Sequence, residues 1–293
     1  MARPAKIIDR PTQSGHSWPA AIAGAILLLG GAVAASSGAW SDIYHIATAD
    51  EEASHILLVP FVAAALIWVR KDQLRDIDPA PSAVGPILIA IGWAASHFGF
   101  HHAIQSFWHG GALLIAVGAI LTFLGHRVLF QLLPVALLLL FLIPVPGMVR
   151  QRLALPLQTM SARTTEFLLH AGGVAVSRSG NMLSINNIDV TIAEACNGLR
   201  MVFGLFLVSY AVCFCMNLST PLRILILLLS PVTAILCNVV RLVPTVYLFG
   251  HGSESLADKF HDAAGWVMLP FATLLLIGLA SMLRRLSVFH PAV

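Results

Sequence analysis

Charged side chains are scarce in this chain, and their scarcity excludes most classes of soluble protein. Only 11% of the 293 residues are Asp, Glu, Lys or Arg, whereas 58% are hydrophobic. Because a soluble domain carries about 25% charged residues, so few charges cannot cover a water-facing surface of this size. The net charge is only +3, and the basic residues lie at the ends of apolar runs, so we expect no nucleic-acid partner. The composition predicts a polytopic protein embedded in a lipid bilayer.

Cysteine is also scarce, and cofactor motifs are missing. Of the four cysteines, Cys213, Cys215 and Cys237 lie inside apolar runs, so we do not expect a disulfide framework. Cys196 alone stands in polar, turn-rich sequence. The sequence contains no phosphate loop, dinucleotide fingerprint or H-E-x-x-H pattern, and we therefore predict no cofactor.

Long apolar segments recur along the whole chain, and about 20 such residues cross roughly 30 Å of hydrocarbon. We predict one all-α membrane domain over residues 1–293, with a basic cytoplasmic tail at 1–17. The first apolar segment lacks a convincing small-residue cleavage site, so we interpret it as a retained span. The eight predicted spans are 18–36, 55–69, 83–97, 110–124, 128–145, 199–216, 222–243 and 264–283.

Loop charge predicts how these spans are oriented, because cytoplasmic loops are enriched in Lys and Arg. If the spans alternate, most basic loop residues fall on one side and the acidic run 50–52 falls on the other. Arg150, Arg152 and Arg163 are exceptions on the acidic side. The balance places both termini in the cytoplasm.

The largest predicted non-cytoplasmic segment is an insertion at residues 146–198. Its part at 151–171 is too polar to span the membrane, so we expect an amphipathic helix at the interface. Residues 174–193 contain turn signals at 178–181 and 186–187 between β-rich runs. We expect a small β-hairpin there, leading into the sixth span.

Three polar residues fall at one predicted membrane depth. Cys196 precedes the sixth span, Arg241 lies near the far end of the seventh, and His261 precedes the eighth. The 20 residues from Leu222 to Arg241 rise about 30 Å in a helix, which is one hydrocarbon thickness. The three side chains should therefore meet at the outer face.

Each of the three has a catalytic role and an ordinary alternative. A helix N-terminus favours the thiolate of Cys196, which is the nucleophilic form, although a membrane Cys is often just a small buried residue. His261 could be a general acid and base or an interfacial histidine. Arg241 offers donors for an oxyanion or could be a snorkelling anchor. Cys237, one turn before Arg241, is a rival nucleophile that its continuous apolar helix disfavours.

Several neighbouring polar residues could support such a site. Asn238 lies one turn before Arg241 on the same helix face, where it could orient the guanidinium or only bond a neighbouring helix. Arg200 could hold the thiolate or bind a lipid phosphate. Asp262 and Glu194 could orient His261, pair with Arg241, or simply be solvated. The candidate supporting or substrate-binding residues are Asn238, Asn197, Arg200, Glu194, Asp262, Ser54 and His55.

A group of histidines, His97, His101, His102 and His109, lies around the third predicted loop. The spacing of His97 and His101 could place two metal ligands on one helix face. Interfacial histidines in a short loop explain the group as well, and we predict no metal site.

The order and spacing of several motifs resemble the exosortase and archaeosortase family. The resemblance covers about residues 54–283, and the family commonly has Ser where this chain has Asn197. The similar segments are A-C-N-G-L-R at 195–200, Asn238-x-x-Arg241, His261 before the last span, S-H-x-x-L-V-P at 54–60, F-L-I-P-V-P at 141–146, and P-L-Q at 156–158 with the strand-like stretch 174–192.

This resemblance implies a multi-pass cysteine peptidase or transpeptidase of the bacterial inner membrane, with its active site facing the periplasm. It implies that Cys196 attacks the scissile carbonyl, that Arg241 stabilises the oxyanion, and that His261 transfers the proton. The implied substrates are membrane-anchored proteins whose C-terminal sorting tail has a short motif, a transmembrane helix and a basic cluster. Such enzymes are often linked to exopolysaccharide production. A multi-pass transporter and a non-catalytic subunit of exopolysaccharide export remain the alternatives.

Overall fold

The computed structural model describes residues 18–75, 77–192, 198–216 and 218–289. Within these ranges the chain is mostly helical, with short 3-10 segments at Glu51–Leu58 and Leu140–Leu142 and strands β1 (Ser177–Ser179), β2 (Met182–Ile185) and β3 (Ile188–Thr191). The α-helices are α1 (Trp18–Ala35), α2 (Ser37–Ala49), α3 (Val59–Arg75), α4 (Val84–His101), α5 (Gln105–Leu124), α6 (His126–Gln131), α7 (Leu133–Leu139), α8 (Gly147–Ala171), α9 (Leu199–Cys215), α10 (Thr220–His251) and α11 (Glu254–Phe289).

The all-α membrane architecture predicted from composition is confirmed, but the count of eight spans is not. Six stretches of the described chain are long and apolar enough to cross a membrane, and they coincide with six of the predicted spans: Trp18–Ala35, Glu51–Leu74, Val84–His101, Gln105–Leu124, Thr220–His251 and Glu254–Arg285. The predicted span 128–145 is broken, and Leu133–Leu142 bends by 90° into α8, so this pair forms at most a seventh span. Helix α9 is apolar but has only 17 residues.

Helix α8 occupies the predicted amphipathic segment and has one buried stripe. Its buried residues recur at helical spacing and include Ala154, Gln158, Ser161, Ala162, Thr165 and Leu169. Large apolar side chains such as Met148, Leu155 and Phe167 are exposed on the rest of its surface. The chain bends by 90° between Leu133–Leu142 and α8, and the interfacial position of α8 stays a prediction.

The small sheet has three antiparallel strands in the order β1-β2-β3, rather than the two of a single hairpin. Both connections use the predicted turn residues. Gly180 has a φ of +64°, and Asn186 and Asn187 have φ values of +51° and +63°, the left-handed pair that a tight type I′ hairpin requires. Leu183 and Ile185 are buried, and they form one apolar cluster with residues of α10, so the sheet is fixed to that helix.

Helices α9, α10 and α11 form the part of the core that carries the site. They share an apolar cluster that includes Leu205, Ile226 and Leu276. Pro231 lies inside α10 and cannot donate to the carbonyl of Leu227. The hydroxyl of Ser230 donates to that carbonyl instead, at 3.0 Å, which allows the long helix to continue to His251.

Candidate active site

A cavity of about 630 Å³ opens where α2 and the 3-10 segment meet the beginning of α9, the end of α10 and the beginning of α11. Gly198, directly before α9, contributes to its wall, as do several side chains of the two long helices. Five residues predicted to belong to the site line this one cavity: Ser54, Arg200, Arg241, His261 and Asp262. The structure therefore brings together residues that are up to about 200 positions apart in the sequence.

Three of the predicted site residues, Glu194, Cys196 and Asn197, lie outside the described residues. The described chain stops at Ile192 and resumes at Gly198. Gly198 lines the cavity just introduced, so the described chain resumes at the wall of the candidate site.

Arg241 is buried in the helical bundle, where an isolated guanidinium would be costly. Only 6% of it is exposed, and its Nη2 donates to Oδ1 of Asn238 at 2.9 Å. Asn238 is fully buried and donates in turn to the hydroxyl of Ser161 on α8, at 3.4 Å. A β-carbon at Gly265 would lie 3.5 Å from Nη1 of Arg241. The guanidinium therefore lies between Asn238 on α10 and Gly265 on α11, where the absence of a side chain leaves room for Nη1.

Gly198, the residue directly before α9, has a backbone conformation that favours glycine. Its φ is +81°, and a β-carbon there would lie 3.1 Å from the side chain of Asn238. Both the backbone angle and the close approach exclude a larger residue without strain. Because Asn238 also bonds Arg241, the start of α9 and the guanidinium are positioned by the same amide.

We expect Gly198→Ala to lower the free energy of unfolding by about 1–2 kcal/mol, the cost of a left-handed backbone for an L-residue. Gly278→Ala is the matched control, because it lies inside α11 with open space around its Cα and should be neutral or stabilising. Thermal unfolding of the purified protein in detergent would measure both. Equal stability of the two variants would contradict the expectation.

His261 lies inside α11, two turns after the helix begins at Glu254, rather than in a loop before the last span. Its side chain is 25% exposed, and Nδ1 lies 3.3 Å from Oδ1 of Asp262, whose side chain is 80% exposed. A long, exposed contact of this kind contributes little energy. Asp262 is therefore a weak partner for orienting the imidazole.

An acidic turn at the start of the 3-10 segment contributes residues that the sequence analysis did not assign to the site. Glu51 accepts from Nη1 of Arg200 at 3.0 Å, and the Arg200 guanidinium lies 5.9 Å from the ring of Trp266. Asp50 forms an ion pair with Arg150, and Asp50, Glu51 and Trp266 line the cavity. The run of three acids at 50–52, two residues before Ser54, was the sequence signal that could have identified them.

The same turn explains one exception to the charge pattern. Arg150 lies near the start of the predicted insertion 146–198, on the predicted side of the membrane that carries the acidic run 50–52. It forms ion pairs with Asp50 and, at 3.2 Å, with Glu52. An arginine is stable there because two carboxylates from another element face it. Loop charge alone cannot reveal such a pairing.

Ser54 and His55, which we considered together, have different surroundings. The hydroxyl of Ser54 donates to the carbonyl of Glu51 at 2.7 Å, and Ser54 lines the cavity. His55 is buried, stacks on Phe203 with ring centroids 5.0 Å apart, and does not line the cavity. The structure brings Ser54 but not His55 to the candidate site.

None of the three described cysteines lines this cavity. Cys237, the rival nucleophile, is buried in the apolar cluster of α9, α10 and α11. Cys213 lies near the other end of α9, where its backbone carbonyl accepts from Nε of Arg223. Cys215 is exposed and ends that same helix. Within the described residues, no thiol competes for the position that the sequence assigns to Cys196.

The histidines of α4 and α5 do not come together as one group. The rings of His97 and His101 lie 4.3 Å apart, whereas His109 is buried and its Nε2 lies 2.9 Å from Oδ2 of Asp42. In the part of the chain that the structure describes, no three His, Cys, Asp or Glu side chains are grouped as metal ligands.

A family model described as transmembrane exosortase matches residues 40–278, which include every described residue of the cavity wall. Comparisons with curated proteins and with solved structures give no significant match.

Proposed function

The chain belongs to the transmembrane exosortase family, and we propose that it is a cysteine transpeptidase or protease that cleaves the C-terminal sorting tails of exported proteins. Membership of the family supports a membrane transpeptidase or protease in general terms. The observation that carries the finer proposal is that Arg241 and His261 line one cavity together with Gly198, two positions after Cys196.

Cys196 is the proposed nucleophile. An extended chain of two residues spans at most about 7 Å, so the position of Gly198 in the cavity wall supports a thiol within reach of it. The N-terminus of α9 follows directly, and the positive end of its dipole favours a thiolate. The burial of Cys237 and the remote position of Cys213 argue against the other thiols.

The proposed reaction begins when the Cys196 sulfur attacks the scissile carbonyl carbon. Arg241 donates hydrogen bonds to the oxyanion that develops, and its bond to Asn238 fixes the guanidinium before the reaction, which is where such donors are most effective. His261 gives a proton to the leaving amine. The C–N bond breaks, and the thioester that remains is resolved by water or by an amine.

The proposed location is a bacterial inner membrane, with the cavity facing the periplasm. Arg70 and Arg223 both lie against the ring of Phe214, near the end of α9 that is opposite Gly198. Basic residues collect on the cytoplasmic side of membrane proteins, so this arrangement supports a periplasmic site.

The substrate is proposed to be a membrane-anchored protein whose tail ends in a basic cluster.

The test is tail release by the purified protein in vesicles that also contain a tail-bearing substrate. We expect His261→Ala to lower the rate by about 10²–10⁴-fold, the usual contribution of a general acid–base. His251→Ala is the matched control, because His251 is exposed at the end of α10, stacks on Tyr247 and lines neither this cavity nor its neighbour. Unchanged release by His261→Ala, or an equal loss in the control, would contradict the proposal.

A further inference from the structure

A second cavity, of about 550 Å³, has no part in the proposed cleavage step. It lies between strand β3, the end of α10 and the beginning of α11. His261 is the lining residue that it shares with the first cavity. A single imidazole therefore lines two spaces, so it can exchange protons with a reactant in each of them in turn.

The two cavities differ in charge. The wall of the second contains three carboxylates, Asp189, Glu254 and Asp258, and its described lining contains no Lys or Arg. None of the three carboxylates forms an ion pair with another described residue. The first cavity contains two guanidinium groups, and of its three acids Asp50 and Glu51 are paired with arginines and Asp262 with His261. The second cavity therefore has an uncompensated negative potential that attracts cations.

The second cavity also offers backbone to an extended partner. Strand β3 is at the edge of the sheet, and residues from Ile188 to Ile192 line the space. Within the described chain no strand pairs with the outer edge of β3. An exposed strand edge provides N–H and C=O groups to an added peptide strand.

From the shared imidazole, the negative wall and the free strand edge, we infer that the second cavity binds the acceptor of a transfer reaction: a peptide that presents a protonated primary amine. The inference rests on the proposed function, because it assigns the second half of the same reaction. It makes the chain a transpeptidase rather than only a hydrolase. The carboxylates attract the ammonium group, and His261 removes its proton next to the thioester.

The proton balance of this step is complete without any further reactant. His261 has given its proton to the leaving amine in the first half of the reaction, so it is neutral when the acceptor enters. One proton of the ammonium group passes to the imidazole, and the amine nitrogen then attacks the thioester carbon. A C–N bond forms, the C–S bond breaks, and the second departing proton goes to the Cys196 sulfur. The products are an amide, a thiol and an imidazolium. Because the acceptor entered as an ammonium group, the site now holds one proton more than the thiolate and imidazolium that began the cycle, and the thiol releases this proton to water before the next cycle.

The test compares a charged acceptor with a neutral one in the reconstituted full-length protein. The charged acceptor is tri-alanine amide, which has a free N-terminal ammonium, and the neutral one is hydroxylamine. For the double variant Glu254→Gln/Asp258→Asn, we expect the peptide concentration that gives half-maximal transfer to rise about fivefold, as for the loss of exposed charge pairs. Tail release and hydroxamate formation should be unchanged. Mass spectrometry of the processed substrate distinguishes the hydrolysed, peptide-coupled and hydroxamate products.

Asp78→Asn is the matched control, because it removes an exposed carboxylate that lines neither cavity. If the double variant fails to insert, Asp189→Asn on β3 carries the same expectation. Added salt should weaken transfer to the peptide but not to hydroxylamine. Unchanged transfer to the peptide, an equal loss with both acceptors, or transfer to an amine-bearing vesicle lipid in place of the peptide would overturn the inference. Absence of tail release by the wild-type protein would instead contradict the proposed function itself.

Discussion

Cys196→Ala is expected to lower the rate of tail release by about 10⁴-fold or more, the scale on which loss of a catalytic nucleophile acts. Removal of the sulfur prevents formation of the thioester, and the described thiols cannot replace it because none of them lines the cavity. Cys196→Ser should also lose activity, since a hydroxyl is far less acidic than a thiol. Time courses with a tail-bearing substrate in vesicles would measure the rate.

Cys237→Ala provides the control for this prediction. Cys237 is only 5% exposed within an apolar cluster, so its loss should reduce stability slightly and leave tail release intact. A membrane-impermeant thiol reagent added from the periplasmic side should label Cys196 in the wild-type protein and abolish release. Retained processing by Cys196→Ala would exclude the cysteine mechanism and favour a non-catalytic role in export.

Arg241→Lys is expected to lower kcat by about 10²–10³-fold, the effect of removing one oxyanion donor. Lysine retains the positive charge but lacks the planar fork of donors. It also cannot reproduce the geometry in which Nη2 bonds Asn238 while Nη1 faces Gly265. Because the oxyanion exists only after attack, the loss should appear in kcat with little change in KM.

Arg163→Gln is the control for charge removal, since Arg163 is exposed on α8 and lines neither cavity. It should leave kcat unchanged. Arg241→Lys also keeps a positive charge next to Asn238. The variant should therefore lose less stability than one that places an uncharged side chain at this buried position. An effect of Arg241→Lys on KM alone would assign Arg241 to substrate binding instead of to the transition state.

Much of the architecture could be predicted because membrane thickness constrains helices so strongly. A helix that crosses the hydrocarbon needs about 20 apolar residues. The membrane depth of a residue can therefore be predicted by counting residues from the start of its helix. Counting predicted the same membrane depth for Arg241, near the end of α10, and His261, near the start of α11, and both residues line one cavity. The β turns were equally readable, because Gly180 and the pair Asn186–Asn187 have the conformations that their residue types favour.

The remaining features were not predicted. The predicted span 128–145 contains Gln131, Pro134 and Pro144, and Pro134 lies in the first turn of α7. These residues are a local signal for the break between α6 and α7 and for the bend before α8, which a count of apolar residues does not use. The other features depend on contacts between distant segments. The pairing of Arg150 with Asp50 joins residues 100 positions apart. Trp266 lies inside the predicted eighth span, yet it lines the cavity, and its ring lies 5.9 Å from the Arg200 guanidinium. Tertiary packing determines the Arg150 ion pair and the position of Trp266, and local sequence does not encode them.

Helices α10 and α11 are longer than a bilayer requires, with 32 and 36 residues. At 1.5 Å per residue they extend about 48 and 54 Å, against roughly 30 Å of hydrocarbon. Arg241 lies 10 residues before the end of α10, and His261 lies 7 residues after the start of α11, so both side chains are carried by helices that continue well beyond them. Under the proposed function, the substrate is anchored in the membrane by its own helix. Each extended residue inserted between that anchor and the scissile bond would displace the bond by about 3.4 Å, so we expect the rate of cleavage to depend on the length of this spacer.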